Sequence, residues 1–370
     1  MNRIEKNNAG DWVYTNSGHK VFIPKELPIK NLKLDNDLLI QLQRTKEKIN
    51  EFSNLSFLKD SSKNFVNIFG KFFLIKEAVY SSKIEGISCS KEEFFEADML
   101  SDFLFNDVYN NYIALKDAFN MTDKLPLSKR FFKIVHKNLL RNPNNLFYTP
   151  GEFRTSQNWI GKGNCNIDNA IFVPPPEKEI DRLLSNLENY INNYTDDEPL
   201  IKAAIIHSQF ETIHPFLDGN GRTGRIINSI FINNNICDSK YFAFSETIYK
   251  NIDEYYKNLQ LVHDLGDWNS WILFYLKMIE EAVVNSEYLL FNLTDSYELS
   301  ENRLKKLIEE DAVFDAVKLL KSFASNIVLD PKDLMNESRL KYLLSKFQEY
   351  SIITKLGKDT YKYNNAFNLL

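Results

Sequence analysis

Cysteine is scarce in this chain of 370 residues: there are three, Cys89, Cys165 and Cys237, far apart and without a CxxC pair. Such a pattern fits neither a disulfide framework nor a cysteine zinc site, and it suits a reducing compartment. Charge of one sign is scarce too. The 45 Lys and Arg set against 50 Asp and Glu leave a formal net charge of −5, which argues against a nucleic-acid footprint spread over the whole chain. No apolar run reaches the length of a membrane span, and the opening residues, MNRIEKNNAGDWVY, lack the apolar stretch of a signal peptide. The expected location is the cytoplasm, with no membrane partner. Repeats, low-complexity tracts and long linkers are absent as well.

What is present is an ordinary globular mixture, 44% hydrophobic, 26% charged and 14% aromatic. A chain of this length can bury a substantial core and divide into two or three units. Its periodicity is mostly helical, so the expected fold class is mainly α with two small β accessories. Residues 1–30 are polar with extended-looking pieces (DWVYTNS, KVFIPKELP) and are expected as an ordered arm or loop on the body. Leu38, Leu39, Leu42 and Ile49 mark a first helix. Phe65, Ile68, Phe72, Phe73, Ile75, Ala78 and Val79 mark a second, with Ser or Asp caps before it and Gly86 as its stop. Further helices follow to about 140. Between Asn142 and Pro176 the chain turns rich in Asn, Gly and Pro, and two β-like pieces, SQNWIG and AIFVP, predict a hairpin or flap.

Residues 214–225, HPFLDGNGRTGR, hold the densest chemistry. One helical segment runs in and another runs out. Gly219 and Gly221 let consecutive backbone amides turn inward as an anion nest. The outgoing helix adds unpaired N-terminal amides and the positive end of its dipole. Arg222 and Arg225, three apart, lie on one side of its first turn and can grip phosphate oxygens. Asp218 can hold Mg²⁺ together with substrate phosphates. His214 is the residue whose pKa suits a general base near neutral pH. Taken singly, each of these is an ordinary structural feature; together within twelve residues they predict a phosphate site with a base.

The same residues resemble the Fic family signature HxFx(D/E)GNGRxxR and match it at every fixed position. Flanking stretches, among them PGEFRTSQNWIG, FVPPP and GDWNSWILFYL, resemble the family's helical core, and the likeness covers most of residues 60–285. It implies an enzyme that moves AMP from ATP onto a Ser, Thr or Tyr hydroxyl of a protein, with release of pyrophosphate. His214 would then be the base and Asp218 the Mg²⁺ ligand. The amides of Gly219, Asn220 and Gly221 with Arg222 would hold the α- and β-phosphates. Thr223 and Gly224 continue that nucleotide loop, and Arg225 would clamp the γ-phosphate. Asn158, Trp159, Ile160 and Gly161 form the flap over the nucleotide, to whose edge a target strand adds. Tyr255 would line the adenine pocket. Upstream, Ser81, Glu85 and Gly86 fit the inhibitory pattern (S/T)xxxE(G/N), which implies that Glu85 takes Arg225 away from the γ-phosphate.

The resemblance divides the chain into 1–104 (arm and helices, with an inhibitory helix at about 71–86), 105–285 (Fic core) and 300–370, whose helices and terminal hairpin suggest a winged helix including a short helix at Pro331–Leu334. Over 301–370, twelve basic against ten acidic residues leave a net +2. DNA binding there is the weaker reading beside a protein-contact or dimerising module. Expected partners are a hydroxyl-bearing protein target, the chain itself as target, and a second copy in a homodimer. The alternatives are transfer of phosphate or another nucleotide, removal of AMP, or an ATP-responsive regulator acting through the tail.

Overall fold

In the computed structural model, residues 2–55, 65–100, 106–141, 148–161, 163, 165–237, 243–357 and 359–370 are described. Among them the chain is mainly helical, with fourteen α-helices and two three-stranded antiparallel sheets. The expected arm is instead a sheet in its own right, β1 (Asn2–Lys6), β2 (Gly10–Tyr14) and β3 (Lys20–Pro24). Both of its faces are covered, Trp12 and Phe22 on the main core and Val13 and Val21 in a separate cluster, and its strands pair in sequence order.

Asp35 caps α1 (Asn36–Ser53) through its carboxylate on the Leu38 N–H, 2.9 Å. Leu38, Thr45, Ile49 and Phe52 form the buried stripe, whereas Leu39 is 46% exposed, one residue off that stripe. Next come α2 (Phe65–Ile84), α3 (Lys91–Leu100), α4 (Asp107–Met121) and α5 (Lys129–Leu139). The residues expected to cap α2 lie outside the described ones. A short 3₁₀ turn leads into α6 (Ile180–Asn193).

At the centre lie α7 (Pro199–Ile213) and α8 (Asn220–Asn235). Both are buried nearly all round, so they must be wrapped by other helices. Two helices follow, α9 (Phe244–Lys250) and α10 (Ile252–Leu265), broken at Asn251. Then α11 (Trp268–Leu307) runs for 40 residues, starting from Asp267 as cap. Its Trp271 indole donates to the Ala204 carbonyl at 2.9 Å, fastening it to α7, and α1 lies along it with Thr45 donating to the Leu276 carbonyl.

The tail comprises α12 (Val313–Asn326), β4 (Val328–Leu329), α13 (Glu337–Glu349), β5 (Ile353–Lys355), β6 (Tyr361–Tyr363) and α14 (Asn364–Leu369), with strand order β4-β6-β5. Residues 331–334 form a turn closed by the Leu334 N–H on the Pro331 carbonyl, not a helix. The tail docks on α2 through α12 and on α3, where Phe367 stands 5.6 Å from Phe95 and its carbonyl accepts from Lys91 Nζ. Each cation of α13 has an acid beside it: Arg339 pairs with Asp311 at 2.7 Å, Lys341 with Glu337 and Lys346 with Glu349. Little uncompensated charge remains there for phosphates. Random duplex DNA at about 50 mM salt is therefore expected to show no mobility shift with the full chain; a shift lost in Lys341→Glu would contradict this.

Candidate functional site

The site forms where α7 hands the chain to α8. His214 stops α7 in the left-handed region, φ 48° and ψ 60°, an uncommon conformation outside glycine that marks a constrained turn. Arg154 holds it there. Buried to 3% exposure, its guanidinium donates from Nε to the His214 carbonyl at 2.9 Å, from Nη1 to Ser156 and from Nη2 to Pro175. Its own N–H donates to the Pro215 carbonyl. Asn220 closes the loop from the other side: its side chain both donates to and accepts from the Phe216 backbone at 2.8 Å. Gly219 then caps α8 with φ +73°, a value that requires glycine.

The first intrahelical bond of α8 runs from the Thr223 N–H to the Gly219 carbonyl. The N–H groups of Asn220, Gly221 and Arg222 therefore precede the ladder and form the positive helix end. Arg222 adds to it. Its guanidinium is 3% exposed, Nε and Nη1 have no hydrogen-bond partner, and the nearest carboxylate, Asp218, is 3.7 Å away. A buried guanidinium with unmet donors is costly unless an anion arrives.

Glu85 occupies this positive end. A turn at Gly86, φ +73°, stops α2 and leaves Glu85 just beyond it. Its Oε1 accepts from Arg225 Nη2 at 2.6 Å and lies where a Cβ on Gly221 would be, 2.2 Å from it. Ser81 completes the grip, its hydroxyl accepting from Arg225 Nε at 3.0 Å and its carbonyl from Nη2 at 2.8 Å. Burial by itself would raise the Glu85 carboxyl, but Arg225 first and then Arg222 outweigh it and hold it below its ordinary value. Arg225, 2% exposed, is itself pushed up because the Glu85 and Glu211 carboxylates outweigh its burial.

Glu85 also lines a cleft of about 570 Å³ with His214, Asp218, Gly219, Asn220, Gly221 and Arg222 on one side and Trp159, Ile160 and Gly161 on the other. The expected hairpin flap reduces to one bridge, Ile160 with Phe172. Asn158 turns inward, its amide donating to the Phe216 carbonyl at 2.9 Å, and the half-exposed Trp159 donates to the Cys165 carbonyl. Burial pulls the His214 imidazole down to about 4. Its Nδ1 faces the Glu211 carbonyl at 3.2 Å. A carbonyl can only accept, so Nδ1 carries the proton and Nε2 keeps a lone pair at the cleft.

Three expected residues fall elsewhere. Thr223 is fully buried and Gly224 backs onto Glu211, whose Oε1 would sit 2.3 Å from a Cβ there. Both face the core, because a helix starting at Asn220 turns them away from the cleft. Tyr255 is 3% exposed, with its hydroxyl 2.8 Å from His207 Nε2. It is a core residue, one helical step from its half-exposed neighbour Tyr256, whose hydroxyl burial and then Glu85 push up to about 12.

Sequence reasoning also passed over three residues of the site. His136 is stacked on Phe216 at 3.8 Å; Gly151 donates to its Nδ1, so Nε2 donates to the Asp218 carbonyl at 3.0 Å. The others are Arg154 and Glu211, whose carboxyl burial pushes up to about 7 against the pull of Arg225. A polar residue on the buried stripe of a strongly amphipathic helix was the available signal for His136; nothing local distinguishes Arg154.

Fold and cleft together define a helical protein with a positive helix end beside a half-buried neutral histidine. Residues 126–232 match the model of the Fic/DOC family. Over 76 residues it is 40% identical to a probable protein adenylyltransferase of Aquifex aeolicus (strain VF5), which is 20% of this chain and 24% of that one. Over 186 residues it is 25% identical to the protein adenylyltransferase fic-1 of Caenorhabditis briggsae, 47% of this chain and 33% of the relative. The match thus spans a third or less of these curated relatives. A Fic family protein from Desulfovibrio desulfuricans G20 shares the fold, with TM-score 0.60 at 17% identity over 90% of this chain and 97% of that one.

Two measurements check this geometry. Burial holds His136 and His214 to about 4 and His207 and His263 to about 3, so their imidazole NMR signals are expected not to shift between pH 5.5 and 8. A His214 midpoint near 6.5, assigned by His214→Ala, would contradict it. Arg154→Ala leaves several carbonyls without a donor, at about 1–3 kcal/mol each. Urea unfolding should show a loss of at least about 2 kcal/mol, and Arg154→Lys should recover only part.

Proposed function

We propose that the chain is an autoinhibited protein adenylyltransferase, moving AMP from ATP to a Ser, Thr or Tyr hydroxyl of a protein, itself included. One observation carries the reading: the anion site at the start of α8 is already filled by a carboxylate of this chain, Glu85 on Arg225 at 2.6 Å. A site that selects an internal anion by bidentate-capable arginines, helix amides and dipole suits a polyphosphate as the external one. The family match and the names of the curated relatives point the same way.

In this reading ATP enters the cleft with its α- and β-phosphates on the positive helix end. The unmet donors of Arg222 and the amides of Asn220 and Gly221 orient the α-phosphate, and Arg225 takes the γ-phosphate once Glu85 withdraws. The target hydroxyl lies against the flap at Ile160. His214 Nε2 takes the hydroxyl proton as the oxygen attacks the α-phosphorus. The bond from that phosphorus to the bridging oxygen breaks, and pyrophosphate leaves. Asp218 fits Mg²⁺: it is a carboxylate at the rim of the cleft, 43% exposed, and the one cation paired with it among the described residues, Arg222, stands off at 3.7 Å. When bound, the ion supplies neutralisation of phosphate charge. Everything else is positioning and proton transfer by this chain's residues. With Glu85 in place the γ-phosphate has no clamp and the α-phosphate sits out of line.

A charge-assisted hydrogen bond contributes about 1.5–3 kcal/mol, so Glu85→Gly should raise AMP transfer by about 10- to 100-fold. Label from α-³²P ATP into protein, compared with the parent, measures this; equal labelling would sink the latch. In the Glu85→Gly form, His214→Ala should cost about 10²- to 10⁴-fold. Label appearing from γ-³²P ATP alone would replace AMP transfer with phosphate transfer. No label from either would favour an ATP-responsive regulator.

A further inference from the structure

We infer that the N-terminal sheet β1–β3 anchors the flap and so determines how the protein substrate, but not ATP, is engaged. The inference rests on the function proposed above. On its own the flap holds one bridge, with Ile160 N–H on the Phe172 carbonyl at 2.8 Å and Phe172 N–H back on Ile160 at 3.1 Å. A two-stranded ribbon of that size has little stability in water. On the opposite side of the same segment the Phe22 N–H donates to the Val173 carbonyl at 3.0 Å. Residues 172–173 therefore lie between β3 and Ile160, and the flap's bridge is joined by one backbone hydrogen bond to the β3 edge of the three-stranded sheet.

Side chains seal the seam. Val13, Val21 and Val173 form a small apolar cluster of their own, separate from the main core. Beside it Phe172 stands 5.9 Å from Trp12 and 6.1 Å from Phe22. The array is also tied to the catalytic helix. His263 on α10 stacks on Phe172 at 4.1 Å and meets the Thr212 hydroxyl through Nε2 at 2.8 Å. Thr212 donates its own proton to the Ser208 carbonyl, so His263 is the donor. Thr212 lies two residues before His214. A strand edge recruits an extended peptide well only when it is ordered beforehand. The sheet supplies that order and fixes the edge relative to the base.

Val13→Ala/Val21→Ala in the full-length Glu85→Gly protein tests the inference, since it thins the seam without entering the main core. Amide exchange at Ile160 and Phe172 should quicken at least about ten-fold. Transfer from α-³²P ATP to a twelve-residue peptide with one central threonine should fall about three- to ten-fold through KM for the peptide. KM for ATP should stay unchanged, and Val13→Ala/Val21→Ile should restore both readouts in part. Unchanged exchange at both amides, or a matching loss of ATP affinity, would overturn the anchor. If the double variant fails to fold, Val21→Thr alone is held to the same outcomes. Should the Glu85→Gly parent label no peptide or protein, the proposed function fails, while the exchange data still decide the anchor.

Discussion

Arg225 is a guanidinium with 2% of its side chain exposed, and a buried cation must have an anion. Desolvating it costs several kcal/mol that only close, well-shaped pairing returns. The arrangement of the helices around it follows from that need. α2 has to end where its last turn can offer the Ser81 hydroxyl and carbonyl, and Glu85 has to follow directly. Gly86 has to turn the chain away at once, with a φ of +73°. A phosphate can displace Glu85 only by satisfying the same guanidinium. Glu211 is a second acid near Arg225: it too raises the guanidinium, while burial pushes its own carboxyl up to about 7.

The position of Glu85 along its own helix sharpens the competition. A carboxylate just past a helix C-terminus faces the negative end of the dipole and is disfavoured there. Glu85 gains by reaching across to the opposite, positive end of α8, over Gly221. The latch is thus held by one strong contact and opposed by its own helix end. α2 is not free to drift, however. Asn111 of α4 donates to both Ala78 and Ser82, Glu77 accepts from the Ser245 N–H of α9, and α12 of the tail lies against it. Displacing Glu85 therefore requires a side-chain and terminal-turn change rather than departure of the helix.

How much of this was legible in the sequence divides along contact range. The loop at 214–225 was legible because its chemistry is local: glycines, arginines and a histidine set by a helix start. Glu85 was legible because a short pattern carries it, and the mainly α architecture because amphipathic spacing does. Residues whose roles are made by distant partners were not. Arg154 reaches the His214 carbonyl across 60 positions and His136 reaches Asp218 across 82. Tyr255 and Tyr256 are adjacent letters, and only packing decides that the first is core and the second half-exposed. The N-terminal strands, expected as an arm, pair with one another, but the flap segment that β3 meets lies some 150 residues on, out of reach of any local pattern.

Four of the five histidines are held well below their ordinary pKa by burial, so depressed basicity alone does not single out a base. Hydrogen-bond direction does. His136 spends Nδ1 as acceptor for Gly151 and Nε2 as donor to Asp218, and is fully used as a strut for the loop. His263 gives its proton to Thr212 and leaves an unpartnered Nδ1 in dry surroundings. His207 faces the Tyr255 hydroxyl in the core. Only His214 directs its proton away, to the Glu211 carbonyl, and belongs to the wall of the cleft. Its left-handed backbone makes the turn that ends α7, and the cleft it lines is shared with the first residues of α8. The strain of one non-glycine residue at φ 48°, of order 1–3 kcal/mol, goes with placing the His214 ring on the cleft wall with Asp218 and Gly219.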